Sequence, residues 1–282
     1  AGFLLSGAQK EHSNRIVNKI KLVALDLDDT LLRDDGTVSE RTVTALRKVR
    51  EKGIMTVIAT GRMYATAKPY ADVLKLGNIP LILFSGGLIQ LSETKEKLFE
   101  RPLSVDTVTK INAMAETNGW TVQTYIDDVL YVRSRNELVR AYEAHTGIRA
   151  VACATAERIP RGKANKMLAL GTASALNTVQ QRILADFGKD VEVLFSRPAY
   201  LEIVAACTSK GSALEALCGY YRIRLSETVS FGNGENDTAM LKVAGFSVAV
   251  GNAVDEVKDA ASYVAPTNNE DGVAEALERF VL

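Results

Sequence analysis

Apolar residues fall into two rhythms along this chain. Short unbroken runs alternate with longer stretches where they recur every three or four positions. Lys21 to Leu27 is such a run and reads as a buried parallel strand. Asp34-Asp35-Gly36 then marks a tight turn. Ser39 caps a helix with an apolar face of Val43, Leu46 and Val49, and Gly53 stops it. Ile54 to Ala59 and Leu81 to Phe84 are the next strands. The same grammar returns late in the chain. Val229 to Phe231 and Ser247 to Val250 read as strands around a helix over Asp237 to Val243. Strands alternating with helices predict an α/β fold with a doubly wound, mostly parallel sheet.

The middle has a different pattern. Trp120 to Tyr125 and Val129 to Arg133 flank Asp127-Asp128 as in a β-hairpin. Ser134 and Glu137 form a capping box for the next helix. Lys166 to Leu170, Val191 to Phe195 and Tyr200 to Val204 are further strands, with a helix over Ala173 to Phe187. An α+β cap over 88–205 is therefore expected, inserted into a core of 21–87 and 206–282. Gly86-Gly87 and Ala205 to Thr208 are the expected hinges. Residues 1–20 read as an N-terminal extension, native or added, without a functional role.

Composition removes whole classes of function. The 282 residues carry 34 Lys plus Arg against 34 Asp plus Glu. A balanced charge gives no general pull on nucleic acid or anionic lipid, so neither is expected as a partner. Three cysteines (Cys153, Cys207, Cys218) do not make a disulfide scaffold, which points to a reducing, cytoplasmic setting. Two histidines, His12 and His145, argue against a histidine-rich metal site. Oligomeric state is not readable.

Four segments carry candidate chemistry, each at the predicted carboxyl end of a strand, where open α/β sheets bind ligands. Asp26-Leu27-Asp28-Asp29-Thr30 follows the first strand. Strand alternation puts Asp26 and Asp28 on one side, and two carboxylates so close call for a shared proton or a hard divalent ion such as magnesium. Alone, the segment also fits a solvated acidic turn. Thr60-Gly61-Arg62 offers a hydroxyl, a flexible backbone and a guanidinium to a phosphate, or simply caps a helix. Ser209-Lys210-Gly211 opens a helix. A cation there opposes the macrodipole unless an anion joins it. Gly232-Asn233-Gly234-Glu235-Asn236-Asp237 lies between strand and helix. With Asp at 237 it is a poor dinucleotide fingerprint, and its oxygen donors suit the same metal.

In this order, DLDDTLL, IATGR, SKG and FGNGENDTAML resemble the haloacid dehalogenase superfamily of phosphohydrolases, over about Lys21 to Leu282. The similarity is to its Cof-like branch, with a large cap between the second and third motifs. The resemblance implies a Rossmann-like core and magnesium-dependent hydrolysis of a small phosphorylated metabolite, a sugar phosphate or a phosphorylated cofactor. By similarity Asp26 is the nucleophile that becomes an aspartyl phosphate, and Asp28 the general acid and then base. Thr60, Gly61, Arg62, Lys210 and Asn236 resemble phosphate- and substrate-binding residues. Magnesium is expected at Asp26, the Asp28 carbonyl, position 233 and, often through water, Asp237.

Two departures qualify this. The family usually has Asp where this chain has Asn233, so the metal site is one negative charge short. That predicts weaker magnesium binding and reduced turnover. A catalytically weakened phospho-ligand-binding or regulatory protein is the alternative, and a phosphomutase a third. Ser85-Gly86-Gly87 stands where relatives often have Asn-Gly-Ala, which leaves the role of position 85 open. Elsewhere, His145 is expected to be packed or solvent-facing, Cys207 a small buried hydrophobe, and Trp120 packed in the cap hairpin. Lys163 and Lys166 are read as a solvated turn in preference to a basic lip over the site.

Overall fold

The computed structural model describes residues 20–282. The expected extension over 1–20, with His12, lies almost wholly outside them. Fourteen strands form two sheets among these residues. In chain order they are β1 (Leu22–Asp26), β2 (Met55–Ala59), β3 (Pro80–Leu83), β4 (Leu88–Leu91), β5 (Lys97–Glu100), β6 (Thr121–Ile126) and β7 (Val129–Val132). There follow β8 (Val151–Ala152), β9 (Lys166–Leu170), β10 (Val191–Arg197), β11 (Tyr200–Ala205), β12 (Thr228–Gly232), β13 (Phe246–Ala249) and β14 (Tyr263–Val264).

The first sheet has the order β14-β13-β12-β1-β2-β3-β4-β5. Its strands are parallel from β14 to β3, and β4 and β5 add antiparallel at one edge. Both faces are covered, as the apolar runs require. Alternate residues of β1 enter different cores. Val23 and Leu25 pack with Ile58, Leu81 and Phe231. Leu22 and Ala24 pack with Val57, Ile82 and Leu214, the last from the helix Lys210–Tyr221. By the same alternation Asp26, the last residue of β1, falls on the side of that helix.

The second sheet has the order β10-β11-β9-β6-β7-β8, antiparallel except for the β7–β8 pair. Met167, Ala169, Leu201 and Ile203 face a core closed by the helices Val105–Asn118 and Ala173–Phe187. The opposite face carries Lys166, Leu168 and Leu170 on β9 with Tyr200 and Glu202 on β11.

Three local expectations change. Sequence pattern starts the insertion at residue 88, but β4 pairs with β3 and β5 with β4, so both extend the first sheet. Leu88 and Ile89 are buried like the strand beside them. The helix Glu137–Thr146 is capped by the Asn136 side chain on the amide of Val139, not by Ser134, because the chain stays non-helical through Arg135. Cys207 is exposed, not buried. It occupies a left-handed turn (φ +60°) after β11 that turns its side chain outward.

Gly86 is a close approach more than a hinge. Its φ is +111°, and a Cβ there would lie 2.2 Å from the carbonyl oxygen of Ser209, which caps the helix Lys210–Tyr221. Gly86→Ala is expected to destabilise the fold by about 2–4 kcal/mol in denaturant titration, through clash and backbone strain together. A change under about 0.5 kcal/mol, within the usual range for an unconstrained surface site, contradicts that reading.

Candidate active site

The first, second and fourth motifs meet at the carboxyl end of the parallel sheet. Asp26 ends β1 and pairs in register with Ala59 of β2, and Thr60 follows directly. Asn233 follows Gly232 at the end of β12. The strand ends at Asp26 (φ −64°, ψ 152°); Leu27 opens a short helical turn, within which Asp28 (φ −73°, ψ 130°) is extended and Asp29 (φ +57°) is left-handed. The strand alternation read from sequence therefore stops short of Asp28, and it is this turn that brings Asp28 to the same cleft as Asp26. That cleft, about 190 Å³, is lined by Asp26, Asp28, Gly61, Arg62, Asn233 and Asn236. Cap residues Tyr125, Tyr142, His145, Lys166, Arg197 and Tyr200 face them across it.

Lys210 lies beneath the floor of this cleft. Its Nζ donates to Asp26 Oδ1 at 2.5 Å and to Asp237 Oδ1 at 2.7 Å, and it is 1% exposed. Its helix begins with a reciprocal Ser209–Ser212 capping box. The ammonium thus sits at the positive end of a helix dipole, and the anions that reconcile it are two carboxylates of the chain itself. Burial favours a neutral Lys210, but the charges of Asp237 and Asp26 outweigh it and hold the ammonium form firmly.

One lysine does not neutralise two buried carboxylates. Asp26 is pushed up to about 7, first by burial and then by the charge of Asp237, with Lys210 only partly offsetting them. Asp28 goes the other way. Burial would raise it, yet Arg62 holds it below the usual carboxylate range. The guanidinium binds both carboxylate oxygens, Nε to Oδ2 at 2.9 Å and Nη2 to Oδ1 at 2.5 Å. A general acid at Asp28 needs a raised value, so the expected elevation is absent in this arrangement. The reason is an opposite charge in bidentate contact.

Asp237 is placed differently from expectation. Its Oδ1 accepts from Lys210, and its Oδ2 accepts from the amides of Asn233 at 2.9 Å and Gly234 at 3.0 Å. It is fully buried and does not line the cleft. It clamps the fourth-motif loop and orients the donors around it. Thr60 is also buried, its hydroxyl accepting from the Arg62 amide at 3.1 Å. Asn233 does face the cleft, with its Oδ1 accepting from Thr30 at 3.0 Å.

Among the described residues, no three His, Cys, Asp or Glu side chains converge to hold an ion. The donors that remain are the Asp26 carboxylate, the Asp28 carbonyl and the Asn233 amide oxygen. No side chain or amide among the described residues donates to Asp26 Oδ2. A buried carboxylate only partly compensated by Lys210, beside neutral oxygen donors, fits a hard cation such as magnesium in kind, with less charge than a two-carboxylate site.

Sequence reasoning missed Glu202 and undervalued Lys166. Both line the cleft, and Lys166 is buried because its position on β9 points it away from solvent. The even spacing of Lys166, Leu168 and Leu170 within one strand was the available signal. His145 is exposed on the cleft wall, 3.4 Å from Arg197. Trp120 packs against the core of the second sheet as expected.

The raised Asp26 gives a signed expectation for stability. Its folded value exceeds the ordinary 3.8, so its favourable contribution is full below about 3.8 and is lost as pH rises through about 7. With divalent ions chelated, Asp26→Asn should raise the melting temperature at pH 8 and change it little at pH 5. Equal shifts at both pH values contradict the assignment.

The chain is similar to known hydrolases over most of its length. A family model described as haloacid dehalogenase-like hydrolase matches residues 23–277. A 5-amino-6-(5-phospho-D-ribitylamino)uracil phosphatase of Bacillus subtilis is 29% identical, over 93% of this chain and 96% of its own. A haloacid dehalogenase-like hydrolase from Bacteroides thetaiotaomicron superposes with a TM-score of 0.86 at 31% identity, covering 93% of this chain and 99% of that one. A sugar phosphatase of haloacid dehalogenase subclass IIB superposes with a TM-score of 0.80 at 25% identity, covering 92% and 98%.

Proposed function

The chain belongs to the haloacid dehalogenase-like hydrolase family, in its Cof-like branch, and we propose that it hydrolyses a small phosphorylated metabolite through a phosphoryl group carried on Asp26. The observation that carries this is the placement of Asp26. It ends the central strand at the floor of the cleft, held on one oxygen by buried Lys210 and unengaged on the other.

Asp26 Oδ2 attacks phosphorus, and the bond from phosphorus to the leaving oxygen breaks. Asp28, two residues on and on the same side, gives that oxygen a proton and later takes one from the attacking water. Phosphate is then released and Asp26 is restored. Asp28 must first escape Arg62. A phosphate dianion competes for the guanidinium, and as Arg62 turns to it, burial raises Asp28 toward a proton-carrying range. Lys210 holds Asp26 oriented and offsets charge that gathers at the phosphoryl group. A magnesium ion held by Asp26, the Asp28 carbonyl and Asn233 would supply charge neutralisation at the transferring phosphate.

The cap closes the far side. Residues 101–205 act as the cap in this reading, and the hydroxyls of Tyr142 and Tyr200 with Arg197 suit a polar, hydroxyl-bearing metabolite. The cleft volume suits a small metabolite. Sugar phosphates fit this wall, and the name of the subclass IIB relative supports the same direction. Asn233 argues for reduced turnover, because an amide ligand brings no negative charge to the ion.

Release of phosphate from an aryl phosphate with magnesium present tests the reading. Asp26→Asn should abolish it. Asn233→Asp should lower the magnesium concentration for half-maximal rate about tenfold, through ligand charge. Activity that survives in Asp26→Asn overturns the nucleophile, and an unchanged magnesium requirement in Asn233→Asp overturns the account of that position.

A further inference from the structure

A buried ion pair crosses from the cap sheet to the phosphate-facing loop. Lys166 on β9 and Glu202 on β11 lie on the same sheet face, Nζ to Oε1 at 3.1 Å, each side chain 5% exposed. Lys166 Nζ also donates to the carbonyl of Gly61 at 2.7 Å. Glu202 Oε2 accepts from Ser85 Oγ at 2.9 Å. Thus two cap residues grip two core turns, one after β2 and one after β3. Gly61 has no room to spare there. A Cβ on it would come within 3.2 Å of Ser85 Oγ and 3.4 Å of Glu202 Oε1.

The grip falls on the residue between Thr60 and Arg62. Fixing the Gly61 carbonyl fixes the peptide that leads into Arg62, and Arg62 holds Asp28. Ser85 stands in a left-handed conformation (φ +56°), and its own amide donates to the Thr60 carbonyl at 3.0 Å. Both turns are therefore tied to each other and to the cap. The charge is matched: a lone buried lysine beside Arg62 would suffer both desolvation and repulsion, and the attraction of Glu202 offsets them. A buried pair of this kind contributes little net stability, since its attraction roughly offsets its desolvation. It specifies geometry and still lets water reclaim both ions when the sheet lifts away.

We propose that Lys166 and Glu202 are positioning residues, a cap-borne pair that sets the Thr60–Arg62 loop for phosphate through Gly61 and Ser85. The site is then complete only while the cap sheet rests on the core. The proposal rests on the phosphatase reading for its consequence, but its structural half is independent of it.

The test pairs an activity arm with an exchange arm. Amide hydrogen exchange over 60–63 should speed up in Lys166→Met and Glu202→Gln. The double variant should be no worse than the more affected single, because each single strands one buried charge that the double removes. The inhibition constant of inorganic phosphate should rise, and kcat fall, on the order of tenfold, the scale of a small misplacement. Lys166→Arg should restore both, and Ser85→Ala, which removes one hydroxyl only, should give a smaller shift of the same sign. Exchange over 60–63 that stays unchanged in all variants overturns the proposal. If the parent hydrolyses no phosphomonoester, the phosphatase reading fails, and the exchange arm still decides the link.

Discussion

The site depends on one ammonium group. Lys210 is buried under the cleft, and it holds Asp26 and Asp237 at once. Removing it would strand two buried carboxylates, a loss of about 3–5 kcal/mol by the usual cost of breaking a buried pair. Sheet alternation points Asp26 toward the helix that Lys210 begins. Asp237 then carries the constraint onward, because its other oxygen holds the amides of Asn233 and Gly234. Three motifs distant in sequence are thereby fixed to one another through a single cation.

That arrangement leaves a charge imbalance, and the imbalance is useful. Burial first, and then the charge of Asp237 that Lys210 only partly offsets, raise Asp26, so the residue resists ionisation until further positive charge arrives. A few ångströms away Asp28 is fully compensated by Arg62. The two carboxylates are two residues apart and have opposite electrostatics. Such a split is the pattern expected where neighbouring groups take different roles in one reaction. In the reaction we propose, an incoming phosphate redistributes it by competing with Asp28 for the Arg62 guanidinium.

Much of this is legible in the local pattern of the chain. The apolar runs locate the strands, and following each run to its end places Asp26, Thr60 and Asn233. Residue identity alone suggests that Lys210 needs an anion. What sequence does not show are the partners across large separations. Nothing in Asp237 announces that both its oxygens serve the protein, because that depends on Lys210 and on two amides of the preceding turn. The Arg62–Asp28 and Lys166–Glu202 pairs join segments 34 and 36 residues apart, and no periodicity encodes such a meeting. The edge strands β4 and β5 escape notice for a related reason. Short apolar segments after a glycine pair fit a new domain as well as a sheet edge, and only hydrogen bonding distinguishes them.

The central claim is a covalent phosphoryl group on one carboxylate, and trapping tests it most directly. A turning-over mixture with an aryl phosphate and magnesium is quenched, reduced with borohydride and digested for peptide mass analysis. The account predicts conversion of the aspartyl phosphate at position 26, and none at Asp28 or Asp237. Hydrolysis that proceeds with no modification at Asp26, or with modification at another carboxylate, contradicts it.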